Sequence, residues 1–560
     1  MYFIDISFDC FDSILLILVL QVGLESYNIF YFLSSFAYRS SGAVATINNY
    51  NKKNCCSNQN NRKTLIVIFK SSLTEIGFSS KNDNYLLLLT YMNTNAKSKT
   101  KDFPKPEKFR RLIGPSFIIL ALGLGSGEVI LWPYLASNYG LGLVWGAVLG
   151  ITFQFFINTE IERYALVKGE SVFVGINKFW RGAAYWFIFS TFIGFGLPGI
   201  IAASAKVASA LFGWEEHRWL AVLFLVLIGV ILSAGKTVYG LMEKLTKTII
   251  LIGVPFIFGL AVYLSSSSDW SALANGFVGR GEGFWFIAPG MALATFLAAF
   301  AYSGAGGNLN LTQSIYIREK GYGMGKYAQK IAGLFTQKEK HQKIKLAGYD
   351  FEHDEKNITN CLTWWRQINL EHLIVFWFVG LVSIVMLMLL AFVTTNGLSG
   401  TEQGISFILF EASVIGQSAM PAMGIAFLIV VVIMLFQTQL GVMDSTSRIM
   451  AENYAIKILA KSNNQTINLA KIYYVFLWLQ ISFGIILFLF NVSEPKTLLV
   501  LGAVINAFAM LVHVPLVAWL NHKYLPRFCR PGNARKIVMG LISLFLLCFF
   551  IFIMINQFFE

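Results

Sequence analysis

From residue 113 onward the chain alternates long apolar runs with short polar ones. The runs fall at 113–137, 142–166, 183–211, 219–234, 245–264, 287–316, 372–393, 422–443, 470–490, 497–519 and 536–557. Each is close to the roughly 20 residues that a helix needs to cross a bilayer, so the pattern predicts an all-α membrane protein with eleven transmembrane helices.

Two of these runs are irregular inside. The first, IGPSFIILALGLGSGEVILWPYLAS, carries Gly123, Gly125, Ser126 and Gly127 at its centre, followed by a carboxylate, Glu128. Glycine weakens a helix by roughly 1 kcal/mol relative to alanine, so Gly-Ser-Gly at mid-span predicts an interruption. The sixth run has the same peculiarity in SGAGGNLNLTQS, with Gly304, Ala305, Gly306 and Gly307 beside Asn308. An odd number of crossings separates the two, so they run in opposite directions. Interrupted spans at matching places in two oppositely oriented five-helix halves, 113–264 and 287–519, are the mark of an inverted-repeat secondary transporter. Residues 536–557 then form an additional helix.

Composition agrees with the bilayer: 56% of the 560 residues are hydrophobic and only 13% charged, against about 25% charged in soluble domains. The net charge of +14 does not gather on one soluble face, which excludes a nucleic-acid partner. From Lys97 onward alternate connecting segments hold 33 Lys and Arg, while the intervening ones hold three, Arg218, Arg280 and Lys496. By the positive-inside rule the richer side, here called the basic end, is cytoplasmic, and so is the N-terminus of a multi-pass cell-membrane protein. Segment 92–112 is its first basic stretch, and 317–370 a long basic insertion. There Trp364, Trp365 and Arg366 predict an interfacial belt on an amphipathic helix, and His341 and His353 lie too far apart for a metal site. Cys10, Cys55, Cys56, Cys361, Cys529 and Cys548 lack paired spacing and are expected to be free thiols. Residues 1–91 contain no Trp or Pro and three of the 47 glycines. They are expected to be a mis-assigned start, with translation from Met92, or else a disordered extension or weak amphipathic anchor.

The series GPSFIILALGLGSGE, Trp-Pro-Tyr, FQFFINTEIERYALVKGES, GGNLNLTQS and QTQLGVMDSTSRIMAE resembles the Nramp family of divalent metal transporters over about Gly114 to Ala455. The resemblance implies a LeuT-type 5+5 inverted repeat with discontinuous helices 1 and 6, and proton-coupled uptake of manganese or iron. The family's Asp-Pro-Gly-Asn is here Gly125, Ser126, Gly127 and Glu128, and its Met-Pro-His-Asn is Ala305, Gly306, Gly307 and Asn308. The soft thioether that favours transition metals is gone. The third-span acidic residues tied to proton movement in the family align with Leu197 and Ile200.

The candidate site follows. Glu128 and Asn308 offer oxygens to a cation, joined by the Ser126 hydroxyl and carbonyls freed at Gly125, Ser126 and Ala305; an all-oxygen set suits magnesium or manganese. The plainer account of Glu128 is a protonated or salt-bridged structural carboxyl, and that of the glycines is close helix packing. Gln437 and Gln439 in the eighth span either touch cargo or bond between helices. Lys206 is a candidate coupling group, or a lysine snorkelling to the headgroups. Glu160, Glu162, Arg163, Glu243, Asp444 and Arg448, at basic helix ends, make either an inner gate or a set of solvated interfacial charges. Asp444 and Arg448 have helical ion-pair spacing.

No catalytic triad order, zinc-ligand pair or phosphate-binding loop occurs, which argues against an enzyme and against ATP-driven transport. The expectation is a monomer in the bilayer without a permanent cofactor, with a divalent cation as substrate and protons as a possible coupling ion. A small organic solute is the alternative cargo, and a transceptor or channel-like protein the alternative class.

Overall fold

The computed structural model describes residues 100–107, 109, 112, 114–234, 238–329, 343–401, 404–461 and 466–559. The expectations for residues 1–91, the start at Met92, Cys10, Cys55, Cys56, His341 and most of 92–112 lie outside the described residues. The described part belongs to one compact unit, Thr100–Glu560.

In chain order the helices are α1 (Pro115–Gly123), α2 (Trp132–Tyr139), α3 (Val144–Lys168), α4 (Val172–Asn177), α5 (Ala183–Gly196), α6 (Gly199–Leu211), α7 (Arg218–Ala234), α8 (Val238–Leu264) and α9 (Ser267–Phe277). There follow α10 (Leu293–Ala301), α11 (Leu309–Lys320), α12 (Glu355–His372), α13 (Val379–Thr395), α14 (Ser406–Ser418), α15 (Pro421–Lys461), α16 (Leu469–Leu489), α17 (Pro495–Tyr524) and α18 (Asn533–Phe559). Two short strands, β1 (Lys343–Ile344) and β2 (Ile467–Asn468), pair antiparallel.

Nine helices among the described residues are long and apolar enough to cross a membrane, against eleven expected. The two outside that count are α7, a shorter apolar helix, and the sixth run, which is divided into α10 and α11. Burial sorts the spans into centre and rim. The whole of the first span's apolar window is buried, whereas only 17% of that in Asn533–Phe552 is. Ile537, Leu541 and Leu544 on α18 and Leu251 and Ile252 on α8 are exposed, as apolar side chains facing lipid tails would be.

Three elements differ from expectation. The third run was expected to be continuous over 183–211, yet it breaks between α5 and α6. Proline disfavours the helical region for its predecessor; Leu197 is accordingly extended, with φ −73° and ψ 119°, and Pro198 follows at ψ 41°. The seventh span does not begin at 372, because a π-helical turn, Leu373–Phe378, joins α12 to α13 in one 41-residue helix. Trp364 is consequently buried, its indole N–H bonded to the Pro104 carbonyl at 3.0 Å, and so is not in an interfacial belt. Trp365 packs under the Arg163 guanidinium at 3.7 Å. The eighth span, expected over 422–443, extends to Lys461 and carries its charged end well into the basic side.

The described part of the basic insertion docks on the loop after α3. Glu170 accepts from Lys178 at 2.5 Å, Tyr164 at 2.6 Å and the Gly348 N–H at 3.1 Å. Burial by itself would raise the Glu170 carboxyl, but the Lys178 ammonium and these hydrogen bonds outweigh it and hold the group below the ordinary glutamate range. Stability from a depressed carboxyl is present above the unfolded-state value, about 4.3, and is lost as pH falls through the folded one. Limited proteolysis of the 343–354 segment should therefore accelerate in acid, and Glu170→Gln should cleave fast throughout, with little response to pH.

Close backbone approach at the centre gives a second expectation. A Cβ on Gly123 would lie 2.5 Å from the Gly304 Cα, while Gly259 has open space around it. Gly123→Val should cost about 1–3 kcal/mol or more, read as a lower thermal midpoint in detergent, and Gly259→Ala should leave that midpoint unchanged or slightly higher.

Candidate functional site

The two interrupted spans meet at their interruptions. After α1 the chain makes a tight contact from the Gly125 N–H to the Gly123 carbonyl at 2.6 Å, rewinds as a π-helical turn over Ser126–Leu131, and continues as α2. Between α10 and α11 the backbone turns through Gly304, Gly306 and Gly307 at φ of 106°, 70° and 53°, the left-handed region that glycine tolerates. Gly123 lies against Gly304, and Gly127 against the Tyr302 backbone. The glycines therefore serve both accounts given above: they interrupt the helices and let the interruptions pack backbone to backbone.

Glu128 sits in the π-helical turn with no exposure, and neither carboxylate oxygen has a hydrogen-bond partner. The account that gives it a salt-bridge partner does not hold. Ser126 and Ala305 are buried beside the same interruptions, and Gly125 packs on Thr438 of α15. Asn308 donates from its amide nitrogen to the hydroxyls of Ser190 at 2.8 Å and Thr191 at 3.0 Å on α5, and its amide oxygen is unpartnered. Gln437 and Gln439 are buried with unpartnered side-chain nitrogens. Among the described residues no group of three or more His, Cys, Asp or Glu is placed to hold a metal. A cation here would rest on one carboxylate and neutral oxygens. A shallow apolar groove between α8, α13 and α15, lined by Val254, Ile257, Met386 and Met434, includes no residue of either interruption.

At the basic end the candidate gate residues are buried, apart from Glu243, which is partly so, and they separate into distinct networks. Arg448 donates to both Asp444 oxygens at 2.9 Å and to Glu319 at 2.6 Å, and the hydroxyls of Tyr316 and Tyr473 complete the Asp444 shell. One residue back from Glu319, Arg318 makes a two-pronged bond to Glu452 at 2.8 Å. Glu243 of α8 accepts from Lys320 at 2.6 Å and Lys247 at 2.7 Å. The second half of the sixth span is thus tied to α15 and α8. Apart from these, Glu160 binds Arg163, Arg535 of α18 and Asn521 of α17, and Glu162 joins His372 at 3.1 Å.

Lys206 stands elsewhere, near the non-basic end of α6, paired with Glu494 at 3.6 Å with both side chains partly exposed. Sequence reasoning passed over Arg318, Glu319 and Glu452, whose pairs span 129 and 134 residues, and Glu371 and His372, which look interfacial at the edge of an apolar run. It also passed over Glu411, buried on α14 with one oxygen unpartnered. No local pattern marks the long-range pairs.

No protein-family model matches the chain, and no curated protein matches its sequence. Among solved structures the chain is similar to a manganese transporter of Eremococcus coleocola. One mutant of that protein aligns with TM-score 0.60 at 13% identity over 82% of this chain and 90% of the other. A second mutant gives 0.57 at 14% over the same shares. The same transporter in complex with an aromatic bis-isothiourea substituted compound gives 0.56 at 13%, over 83% and 91%. At such identity the likeness establishes the helix arrangement, which is the LeuT-type fold with interrupted first and sixth spans.

The two kinds of ion pair should respond differently to mutation. Arg448→Met strands Asp444 and Glu319 inside the protein and should cost about 3–5 kcal/mol, whereas Lys206→Met at the exposed pair should cost at most about 1 kcal/mol. Denaturant unfolding in mixed micelles checks the contrast.

Proposed function

We propose that the chain is a secondary transporter that moves a divalent cation of hard character, such as magnesium or manganese, by alternating access, with the basic end on the cytoplasmic side. One observation carries this reading: a fully buried carboxylate, Glu128, without a partner for either oxygen, at the interruption of the most buried span. A bare carboxylate at mid-bilayer is costly, so the position calls for a proton or a cation. The unpartnered Asn308 oxygen supplies a neutral oxygen of the kind such ions take, whereas the Gly125 carbonyl, expected to be free, accepts from the Val129 N–H at 3.3 Å. Kinship with Nramp transporters belongs to the same proposal. It is supported by the quoted motifs and by a fold shared with a manganese transporter.

In this reading the buried networks at the basic end are the inner gate. Arg448 with Asp444 and Glu319, and Arg318 with Glu452, hold the second half of the sixth span against α15 while the site faces away from the cytoplasm. Opening exchanges these pairs for water, which is affordable only as a concerted movement of the half-helix.

The unpartnered amide nitrogens of Gln437 and Gln439 favour one second reading, a small organic solute bearing an amine for Glu128 and oxygens for the two amides. Proteoliposomes discriminate. Saturable manganese or magnesium uptake that Glu128→Gln abolishes, with the variant still folded, supports the cation. Uptake unchanged in Glu128→Gln removes the cation site from the proposal, and flux that rises linearly without saturation points to a channel.

A further inference from the structure

The first residues of α1 have no capping side chain of their own: the N-cap is Gly114 and no local side chain bonds the first turn. The free N–H groups and the positive end of the helix dipole favour an anion there. Glu371 of α12 fills that place from another helix. The Ser116 hydroxyl donates to it, and the Gly114 backbone is within its hydrogen-bonding reach. The Ser116 oxygen is 2.9 Å from His372 Nδ1, which lies 3.1 Å from Glu162 Oε1 of α3. Gln313 of α11 donates to the same Glu162 oxygen at 2.5 Å. A chain of contacts from Ser116 through α12 to α3 and α11 thus links four helices.

Glu162, Glu371 and His372 are each 0–1% exposed. Among the described residues no Lys or Arg pairs with them within 4.0 Å, since the ion-pair contact of Glu162 is His372. Each retains a buried atom without a partner: Glu162 Oε2, Glu371 Oε1 and His372 Nε2. With both carboxylates ionised the cluster carries two negative charges and at most one compensating proton on the ring. A further proton relieves that imbalance. The rings of Phe376, stacked at 4.6 Å, and Phe155, at 5.7 Å, flank the imidazole and leave it no polar face. The charged and titratable groups facing the cluster are Lys247 and Tyr239 of α8, Tyr322 just beyond α11, and Arg535 of α18, while Lys320 of α11 and Glu243 of α8 lie against Gly114.

We propose that Glu162, Glu371 and His372 form a shared proton-binding site that acts as a latch, clamping the start of α1 when deprotonated and releasing it when loaded. A proton on Glu371 turns the anion at the helix start into a neutral carboxyl and weakens its attraction for the helix terminus and for Ser116. The latch belongs to the basic end and needs no cargo, so it stands apart from whether Glu128 binds a cation.

Amide hydrogen exchange of residues 116–124 in the purified full chain in lipid nanodiscs tests it, with rates corrected for base-catalysed chemical exchange. Over about pH 5 to 8 the opening of α1 should rise as pH falls, by about tenfold per pH unit where one proton is taken up. Glu371→Gln should show the open level at every pH, and Glu371→Asp should keep the response. Glu162→Gln, which removes the neighbouring negative charge, should move the response to lower pH. A flat profile in the unmodified protein overturns the latch, as does a Glu371→Gln profile that follows the unmodified one. If Glu371→Gln fails to fold, the direction of the Glu162→Gln shift decides: no shift, or a shift to higher pH, also overturns it.

Discussion

Inside a bilayer no water is at hand for a freed backbone group, so every interruption of a helix must be met by another part of the protein. The centre of this structure is organised by that requirement. At the first interruption the Thr438 hydroxyl donates to the Ala121 carbonyl at 2.9 Å. At the sixth span's interruption the Gln154 amide reaches the Ala301 carbonyl at 3.0 Å and is itself bonded by Asn310 at 2.6 Å. Near the break between α5 and α6, the Asn506 amide donates to the Gly194 carbonyl at 2.8 Å and to the Tyr302 hydroxyl at 3.0 Å. One side chain of α17 therefore serves two interruptions.

Against that background of supplied partners, the groups left without one stand out physically. Glu128 has no donor at either oxygen, and the Asn308 amide gives both of its donor contacts to α5 while its oxygen receives none. A protein that meets the carbonyls of Ala121, Ala301 and Gly194 with dedicated side chains has left a carboxylate bare beside them. A carboxyl in such a place is either protonated or matched by a cation. The glycine contacts at Gly123 and Gly127 bring the two interruptions together beside it.

How much of this was legible from residues alone depended on the range over which each cause acts. Glycine acts on its own neighbourhood, so the interruptions at 123–127 and 304–307 could be read directly. Pro198 acts just as locally and left an equally readable mark, but an unbroken apolar run over 183–211 concealed it. The end of the seventh span misled for a related reason: Trp364, Trp365 and Arg366 have the composition of an interfacial belt, and only the π-helical turn at Leu373–Phe378 shows that the helix runs on. Charge at the basic end was legible as position and not as burial. Asp444 and Arg448, four apart, could be paired by inspection, while Glu319 and Arg448 could not. Hydropathy places Glu371 and His372 at a boundary, yet packing by α1, α3 and α11 puts both fully inside.

The basic-end halves of the two interrupted spans are held by chemically different means, and this has a consequence for how each can move. α11 is tied by Arg318 to Glu452 and by Glu319 to Arg448, and a guanidinium keeps its charge at any pH a cell presents. Those ties yield to a mechanical pull or to competing water, but not to a proton on the arginine. The start of α1 is tied through Ser116 to two carboxylates and an imidazole, groups whose charge changes when a proton is added. Two half-helices that meet at Gly123 and Gly304 are thereby fastened by one lock that holds no permanent cation and one built on guanidinium–carboxylate pairs. Because their backbones are in contact at that point, freeing the first removes a packing surface from the second. A local change of charge at one end of α1 is then felt at the interruption where Glu128 lies, through nothing more than rigid helix and close-packed glycine.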